Sequence, residues 1–186
     1  IGNMPAWNFP VDLSVGPLVE MLAAGNRVII KPSEQTPAVG QLLAEMLGDT
    51  FAREQVSVVN GGLDLARHFS TLKWDHLLYT GNTAVGREVM RNAAQNLVPV
   101  TLELGGRNPT VFTEDAVTRD NVRIMLGSKL TKNGQLCIAV NHVLVPETAR
   151  DKFIGLVREV IEAAVGDYTT SPQVGCAVIN ARQMER

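Results

Sequence analysis

The sequence is poor in cysteine, in aromatic residues and in long apolar runs. Its two cysteines, Cys137 and Cys176, are too few for a disulfide framework, and no Cys/His spacing is typical of a metal site. Aromatic residues make up only 5% of the chain, which argues against a surface that stacks nucleic-acid bases. No apolar run approaches the roughly 20 residues that cross a bilayer, and no signal peptide is recognisable. These absences predict a cytoplasmic protein with no bound metal.

The chain also lacks an excess of charge of either sign. Its 186 residues include 17 Lys+Arg and 19 Asp+Glu, a formal net charge of −2. Without a basic stripe, a nucleic-acid or membrane-surface partner is not expected. Hydrophobic residues make up 45% of the chain, enough for a packed core, and the length predicts one or two domains. Because the chain begins at Ile1 and ends shortly after a new segment begins, we expect a fragment of a longer protein.

Strand-like and helix-like segments alternate over the first hundred residues. Short apolar runs predict strands at residues 27–31, 56–59, 76–79 and 99–104. Between them, apolar residues at helical spacing predict helices that begin at Pro37, Leu63 and Thr83, the first ending at Gly48 and the last reaching Leu97. This order is typical of an α/β fold with a mostly parallel sheet and helices on both faces.

The pair Gly105-Gly106 interrupts this pattern and predicts a boundary between domains at residues 1–106 and 107–186. Beyond it we expect strands at 110–112 and 142–145. A helix with Val122, Met125 and Leu126 on one face should lie between them. A long helix should follow, with apolar residues at Phe153, Val157, Val160, Ile161 and Ala164.

Loops at the carboxyl ends of parallel strands are the places where ligands bind in such sheets. In the first, Lys31 and Glu34 project from one turn, although a solvated charged loop is the simpler interpretation. In the second, Gly81-Asn82-Thr83-Ala84-Val85-Gly86 joins a strand to a helix, and its glycines would let the backbone approach a phosphate. It matches neither the P-loop nor the dinucleotide fingerprint G-x-G-x-x-G.

Two further loops contain residues that could react. Glu103 ends an apolar strand, so we expect a partly desolvated carboxylate that could act as a general base, or else a salt-bridge partner. Cys137 follows Asn133-Gly134-Gln135-Leu136 and could be a nucleophile, although a lone cysteine is more often a small buried side chain.

Together these segments resemble the aldehyde dehydrogenase superfamily, in the order that family uses. The motifs are Trp7-Asn8-Phe9-Pro10, Lys31-Pro32-Ser33-Glu34, Tyr79-Thr80-Gly81-Asn82-Thr83-Ala84-Val85-Gly86, Glu103-Leu104-Gly105-Gly106-Arg107-Asn108-Pro109 and Gly134-Gln135-Leu136-Cys137. The resemblance extends to about Arg182 and is greatest to the class 3 and coniferyl aldehyde dehydrogenase branch. It implies part of a Rossmann-like NAD(P)-binding domain at 1–106 and the start of an α/β catalytic domain at 107–186.

The resemblance implies a catalytic role for three residues. Cys137 would be the nucleophile, and the Asn8 side chain with the Cys137 backbone amide would stabilise the oxyanion. Glu103 would be the base that activates water. The implied reaction is NAD(P)-dependent oxidation of an aliphatic or aromatic aldehyde to its acid through a thiohemiacetal and a thioester. Transfer of the acyl group to coenzyme A, and a nucleotide-binding or scaffold fragment without catalysis, stay open as alternatives.

The resemblance also implies how the cofactor is bound. Lys31 and Glu34 match residues that bind the adenosine ribose, and Glu34 would repel a 2′-phosphate, which favours NAD with NADP as the alternative. Gly81, Asn82 and Gly86 match the pyrophosphate loop, with Asn82 where the family usually has Ser, and Trp7 also belongs to the expected cofactor site. The intact enzyme would be a homo-oligomer, a dimer or tetramer. Four residues outside the motifs are predicted to be structural: Cys176, His68, His76 and His142.

Overall fold

The computed structural model describes residues 1–165 and 176–185, which belong to two compact units, Ile1–Gly105 and Gly106–Arg186. The first unit is built on a sheet of five parallel strands, β1 Gly2–Met4, β2 Val28–Ile30, β3 Val56–Val58, β4 Leu77–Gly81 and β5 Val100–Leu104. Their order is β3-β2-β1-β4-β5. The winding therefore reverses between β1 and β4, the place where open α/β sheets bind ligands.

Helices cover both faces of this sheet. They are α1 Asp12–Ala23, α2 Pro37–Thr50, α3 Leu63–Ser70 and α4 Thr83–Ala94. Leu18 of α1 and Leu47 of α2 pack on Val28, Ile30 and Val56 of one face. The other face packs against α3 and α4 through a second buried cluster, Met4, Phe69, Leu77, Tyr79, Val89, Ala93 and Val98. The predicted mainly parallel sheet with helices on both faces is thereby confirmed.

Several predicted boundaries are wrong by a few residues. Helix α2 does not end at Gly48 but continues to Thr50, whose hydroxyl donates to the Met46 carbonyl at 2.7 Å. Helix α4 ends at Ala94, so Leu97 lies outside it, with φ 57° and a 91% exposed side chain. Apolar spacing identifies the buried face of a helix, whereas the last backbone hydrogen bonds decide where the helix ends.

Strand β1 and helix α1 were not predicted, and they position the first candidate loop. Pro17 lies inside α1 and has no N–H to donate to the Leu13 carbonyl. The side-chain amide of Asn3, fully buried in β1, donates to that carbonyl instead, at 3.2 Å. The start of α1 is thus tied to the central strand, and the loop between them contains Trp7 and Asn8.

The second unit has a smaller sheet. Strands β6 Asn108–Val111 and β7 Val140–Leu144 pair in parallel, each beginning two residues before its predicted position. Helices α5 Arg119–Leu130 and α6 Arg150–Val165 supply most of a buried cluster of Phe112, Val117, Val122, Met125, Leu126, Ala149 and Val160. A short helix α7 spans Ala181–Met184. Within the described ranges, no helix combines the length and the apolar character that a membrane span requires.

Candidate functional site

All but one of the predicted cofactor and catalytic residues of the first unit lie toward one edge of its sheet. Because the five strands are parallel, the loops after β1, β2 and β4 and the end of β5 emerge on the same side. The exception is Gly86, which lies in the first turns of α4. The predicted site residues at this edge are Trp7, Asn8, Lys31, Glu34, Gly81, Asn82 and Glu103. Asn8 follows β1 and Gly81 is the last residue of β4, and these are the two strands that flank the reversal in winding.

Lys31 and Glu34 form an ion pair with a buried lysine side chain. The simpler interpretation of this turn, a solvated charged loop, is therefore wrong. The Lys31 side chain is 2% exposed, and its Nζ lies 3.2 Å from Oε2 of Glu34, which is 30% exposed. The backbone amide of Lys31 donates to the Asn3 carbonyl and so extends the pairing of β1 with β2. A buried ammonium needs such a partner, because its desolvation would otherwise be uncompensated.

The Glu34 carboxylate is well suited to accept hydrogen bonds. Burial opposes its ionisation, but hydrogen bonds from its own backbone amide and from Lys31, together with the Lys31 charge, outweigh burial and lower the pKa of Glu34. At neutral pH the group is therefore a carboxylate, acceptor-only, at the end of β2. Such a group fits a ribose with free hydroxyls.

The loop after β4 has the features of a phosphate site. Asn82 caps α4, because its Oδ1 accepts a hydrogen bond from the Ala84 amide at 2.7 Å. The side chain is exposed, so the Nδ2 of the same carboxamide can still donate to a ligand. Asn82 can therefore cap the helix and contact an anion at the positive end of the α4 dipole.

The two glycines of this loop are required by packing beneath it. A Cβ on Gly81 would collide with the Tyr79 hydroxyl, and one on Gly86 would lie 2.8 Å from Cδ2 of Leu104. Our expectation that they serve the approach to a phosphate is therefore incomplete, because the nearest obstacles are β4 and β5 themselves. The pKa of Tyr79 is raised by burial and by the nearby Glu34 charge, although a hydrogen bond to the Asn82 carbonyl opposes the shift. Tyr79 is thus a neutral, buried support for the loop.

Glu103 is not desolvated as expected. It is exposed, and alternate residues of β5, Val100, Leu102 and Leu104, instead pack on the core formed with α3 and α4. Side chains alternate between the two faces of a strand, so Glu103 points to the opposite face. On that face α1 and α2 pack on β2 and β3, whereas β5 is the last strand at the opposite end of the sheet. These helices therefore do not cover Glu103.

Cys137 lies in the second unit, in an irregular segment between α5 and β7. It is a free, exposed thiol, which disagrees with a buried packing role. Just before it, Lys132, Asn133 and Gly134 all have positive φ, of 50°, 54° and 74°. For the two non-glycine residues this conformation costs roughly 1–2 kcal/mol each. Such strain is common at functional sites, where neighbouring contacts maintain it.

Side-chain hydrogen bonds hold this segment in place. Gln135 donates to the carbonyls of Lys132 and Ala177 and accepts from the Ile179 amide, at 2.9, 3.1 and 3.1 Å. On the other side of the thiol, Asn108 donates to the carbonyls of Cys137 and Ala139. Sequence reasoning gave these two residues no role of their own, although both stand in the quoted motifs.

The four residues predicted to be structural lie in different surroundings. Cys176 is exposed, and its Sγ is 3.5 Å from Nε2 of Gln135. Nε2 of His76 and Oγ1 of Thr101 form a hydrogen bond of 2.8 Å, while His68 and His142 are exposed. In the part of the chain that the structure describes, no three His, Cys, Asp or Glu side chains are grouped so as to hold a metal ion.

Comparison with known proteins gives consistent matches. The profile of the aldehyde dehydrogenase family matches residues 1–186. A probable coniferyl aldehyde dehydrogenase of Pseudomonas aeruginosa is 44% identical over the whole chain, which covers 39% of that protein. Aldehyde dehydrogenase family 3 member A2 of Rattus norvegicus is 36% identical, with 97% of this chain and 37% of that protein covered.

A solved structure shows the same fold. The crystal structure of Mycobacterium tuberculosis aldehyde dehydrogenase complexed with NAD+ superimposes with a TM-score of 0.80 at 34% identity, covering 87% of this chain and 34% of that one. The chain thus spans less than half the length of the curated relatives it matches.

Proposed function

The chain belongs to the aldehyde dehydrogenase family, and from that premise we propose that it contributes the nucleophile and much of the cofactor site to an enzyme that oxidises an aldehyde to its acid. The observation that carries the proposal is the placement of Lys31 and Glu34 after β2 and of Asn82 after β4, at the same edge of one sheet. Residues 1–106 would form part of the NAD(P)-binding domain. Residues 107–186 would form the start of the catalytic domain, with Cys137 on a strained, exposed segment.

The proposed chemistry starts at the thiol. The Cys137 thiolate attacks the aldehyde carbon to form a thiohemiacetal, and the Asn8 side-chain amide and the Cys137 backbone amide stabilise the oxyanion. Such donors contribute about 3–4 kcal/mol each in other enzymes. Loss of hydride from the same carbon leaves a thioester, and Glu103 removes a proton from the water that hydrolyses it. An exposed carboxylate can act in this way, provided that it can reach the water.

The residues at the sheet edge fit a nicotinamide dinucleotide. The ionised Glu34, held by Lys31, would accept hydrogen bonds from both ribose hydroxyls, and Gly81, Gly86 and Asn82 would place the start of α4 beneath the pyrophosphate. Trp7 would flank the same site. When bound, the nicotinamide supplies the hydride acceptor. Because Glu34 is anionic, we propose that NAD+ is preferred over NADP+, whose 2′-phosphate it would repel.

The test is an assay of the purified protein with aliphatic and aromatic aldehydes, coniferyl aldehyde included, and with NAD+ and NADP+ in parallel. We expect reduced cofactor and free acid in equal amounts, and a higher kcat/KM with NAD+. If the product forms only as a coenzyme A thioester, the second step is transfer of the acyl group to coenzyme A and not hydrolysis. Calorimetric binding of NAD+ without turnover of any aldehyde would reject the enzymatic proposal.

A further inference from the structure

Asn108 is placed directly against the segment that carries the Cys137 thiol. It is the first residue of β6, and its half-buried side chain extends toward the chain just before β7. Its Nδ2 lies 2.7 Å from the Cys137 carbonyl oxygen and 3.0 Å from that of Ala139. Both amide hydrogens of one side chain are therefore used on two carbonyls that flank Ile138.

The surroundings of Asn108 fit this bridging position. The pairing of β6 with β7 is irregular between Asn108 and Pro109, so the regular backbone ladder is interrupted next to the thiol segment. A Cβ on Gly106 would lie 3.2 Å from Oδ1 of Asn108, so glycine there leaves room for the carboxamide. The side chain of Asn108 thus provides hydrogen bonds where the ladder is irregular.

The segment that Asn108 holds has few packing contacts to restrain it. Cys137 is exposed, and the Ile138 side chain is 74% exposed. On the preceding side lie the residues with positive φ. Ala139 is buried and its amide donates to the Leu136 carbonyl at 3.3 Å, but Cys137 and Ile138 before it are exposed and lie outside regular secondary structure. The conformation at the thiol therefore depends strongly on side-chain hydrogen bonds.

We propose that Asn108 is a positioning residue for the Cys137 nucleophile, an inference that rests on the proposed function. Its two hydrogen bonds fix the backbone on the C-terminal side of the thiol and so set the direction from which sulfur attacks. Asn108 contacts the carbonyls and not the sulfur. It therefore affects the orientation of the thiol, while the intrinsic reactivity of the thiol stays the same.

The test compares two substitutions at Asn108 with a matched control. Asn108→Ala removes the side chain, whereas Asn108→Asp keeps its shape but replaces the donor by an oxygen that faces two carbonyl oxygens. The control, Asn141→Asp, introduces the same charge at an exposed position of β7, close in sequence to the thiol segment. Hydrogen exchange at residues 137–140 reports the order of the segment, and iodoacetamide alkylation of Cys137, relative to exposed Cys176, reports the reactivity of the thiol.

We expect both Asn108 variants to exchange about tenfold faster or more at residues 137–140, as the loss of two hydrogen bonds predicts. We also expect kcat for aldehyde oxidation to fall about tenfold, since misplacement of a reacting group by about an ångström can cost even more. The KM for NAD+ and the alkylation ratio should stay within about twofold, and Asn141→Asp should resemble the unmodified protein.

Three results would overturn the inference. These are unchanged exchange at residues 137–140 in both variants, wild-type behaviour of Asn108→Asp, or a fall in Cys137 alkylation parallel to that in kcat. The last result would mean that Asn108 sets the reactivity of the thiol and not its position. If the unmodified protein oxidises no aldehyde, the proposed function fails, and the exchange measurement still decides whether Asn108 orders the segment.

Discussion

The two units place their candidate residues by different means. In the first, Lys31, Gly81 and Asn82 stand at or directly after the ends of hydrogen-bonded parallel strands, so the regular sheet determines where they lie. In the second, Cys137 lies on an irregular segment with consecutive left-handed residues, held by the side chains of Asn108 and Gln135. A strand-end site tolerates changes that leave the sheet intact, whereas the thiol segment depends on individual hydrogen bonds.

The largest effect is expected where the comparison is most direct, at the two cysteines of the second unit. Cys137→Ser should lower kcat by about a thousandfold or more, because a serine hydroxyl is scarcely ionised at neutral pH while a thiol is partly ionised. Cys176→Ser is the matched control, since that thiol is also exposed. Steady-state turnover measures both. Full activity in Cys137→Ser would show that Cys137 is not the nucleophile.

The next effect concerns the one proposed catalytic carboxylate of the first unit. Glu103→Gln should lower steady-state turnover about a hundredfold, because the loss of a general base typically costs that much. Since Glu103 is proposed to act only after hydride loss, a burst of reduced cofactor should remain and acyl-enzyme should accumulate, as rapid mixing and mass spectrometry would show. Loss of the burst together with turnover would argue for an earlier role.

A smaller effect is expected on stability, at the ion pair of the first unit. Glu34→Gln should lower the free energy of unfolding by about 2 kcal/mol, because it leaves the 2% exposed Lys31 ammonium without its partner. Lys31→Met should cost about 1 kcal/mol or less, since the partly exposed Glu34 can be hydrated and methionine replaces the lysine stem. Urea unfolding of both variants tests the order, and equal losses would contradict it.

The smallest effect is the acid dependence of the same pair. The folded state lowers the pKa of Glu34 below its usual 4.5, so the pair stabilises the fold fully above that value. The stabilisation is lost as the pH falls through the folded-state pKa, when the carboxylate is protonated. The difference in unfolding free energy between the unmodified protein and Glu34→Gln should therefore shrink below about pH 4.5. A difference that does not change with pH would mean that charge is not its cause.

The sequence predicted the regular part of this molecule better than the irregular part. The strands around Ile29, Val58 and Leu102 were recognised because their apolar runs are dictated by burial. The strand Gly2–Met4 was missed, because a glycine and a buried asparagine give it no apolar signature, and its place depends on pairing with distant strands. The exposure of Glu103 could not be predicted either, since it depends on which strands the helices cover.

The thiol segment was the least predictable. The local sequence left open whether Cys137 is a nucleophile or a small buried side chain, and the resemblance implied the nucleophile. No local pattern indicates that Lys132 and Asn133 adopt positive φ or that Asn108 reaches two carbonyls some thirty residues away. Contacts of this kind arise from the assembled unit. Periodicity describes only which side of an element is buried.

The strand order of the first unit has a consequence for how it folds. Strand β1 precedes the other four strands of this sheet in the sequence, yet it is central, and one of its two neighbours is β4, with Gly2 opposite Leu77. Strands β1, β2 and β3 can associate before β4 is synthesised, but the edge of β1 that pairs with β4 stays open until then. Closing so long a loop carries an entropic cost and slows folding. We therefore expect the β1 edge to be the surface most exposed to aggregation during synthesis.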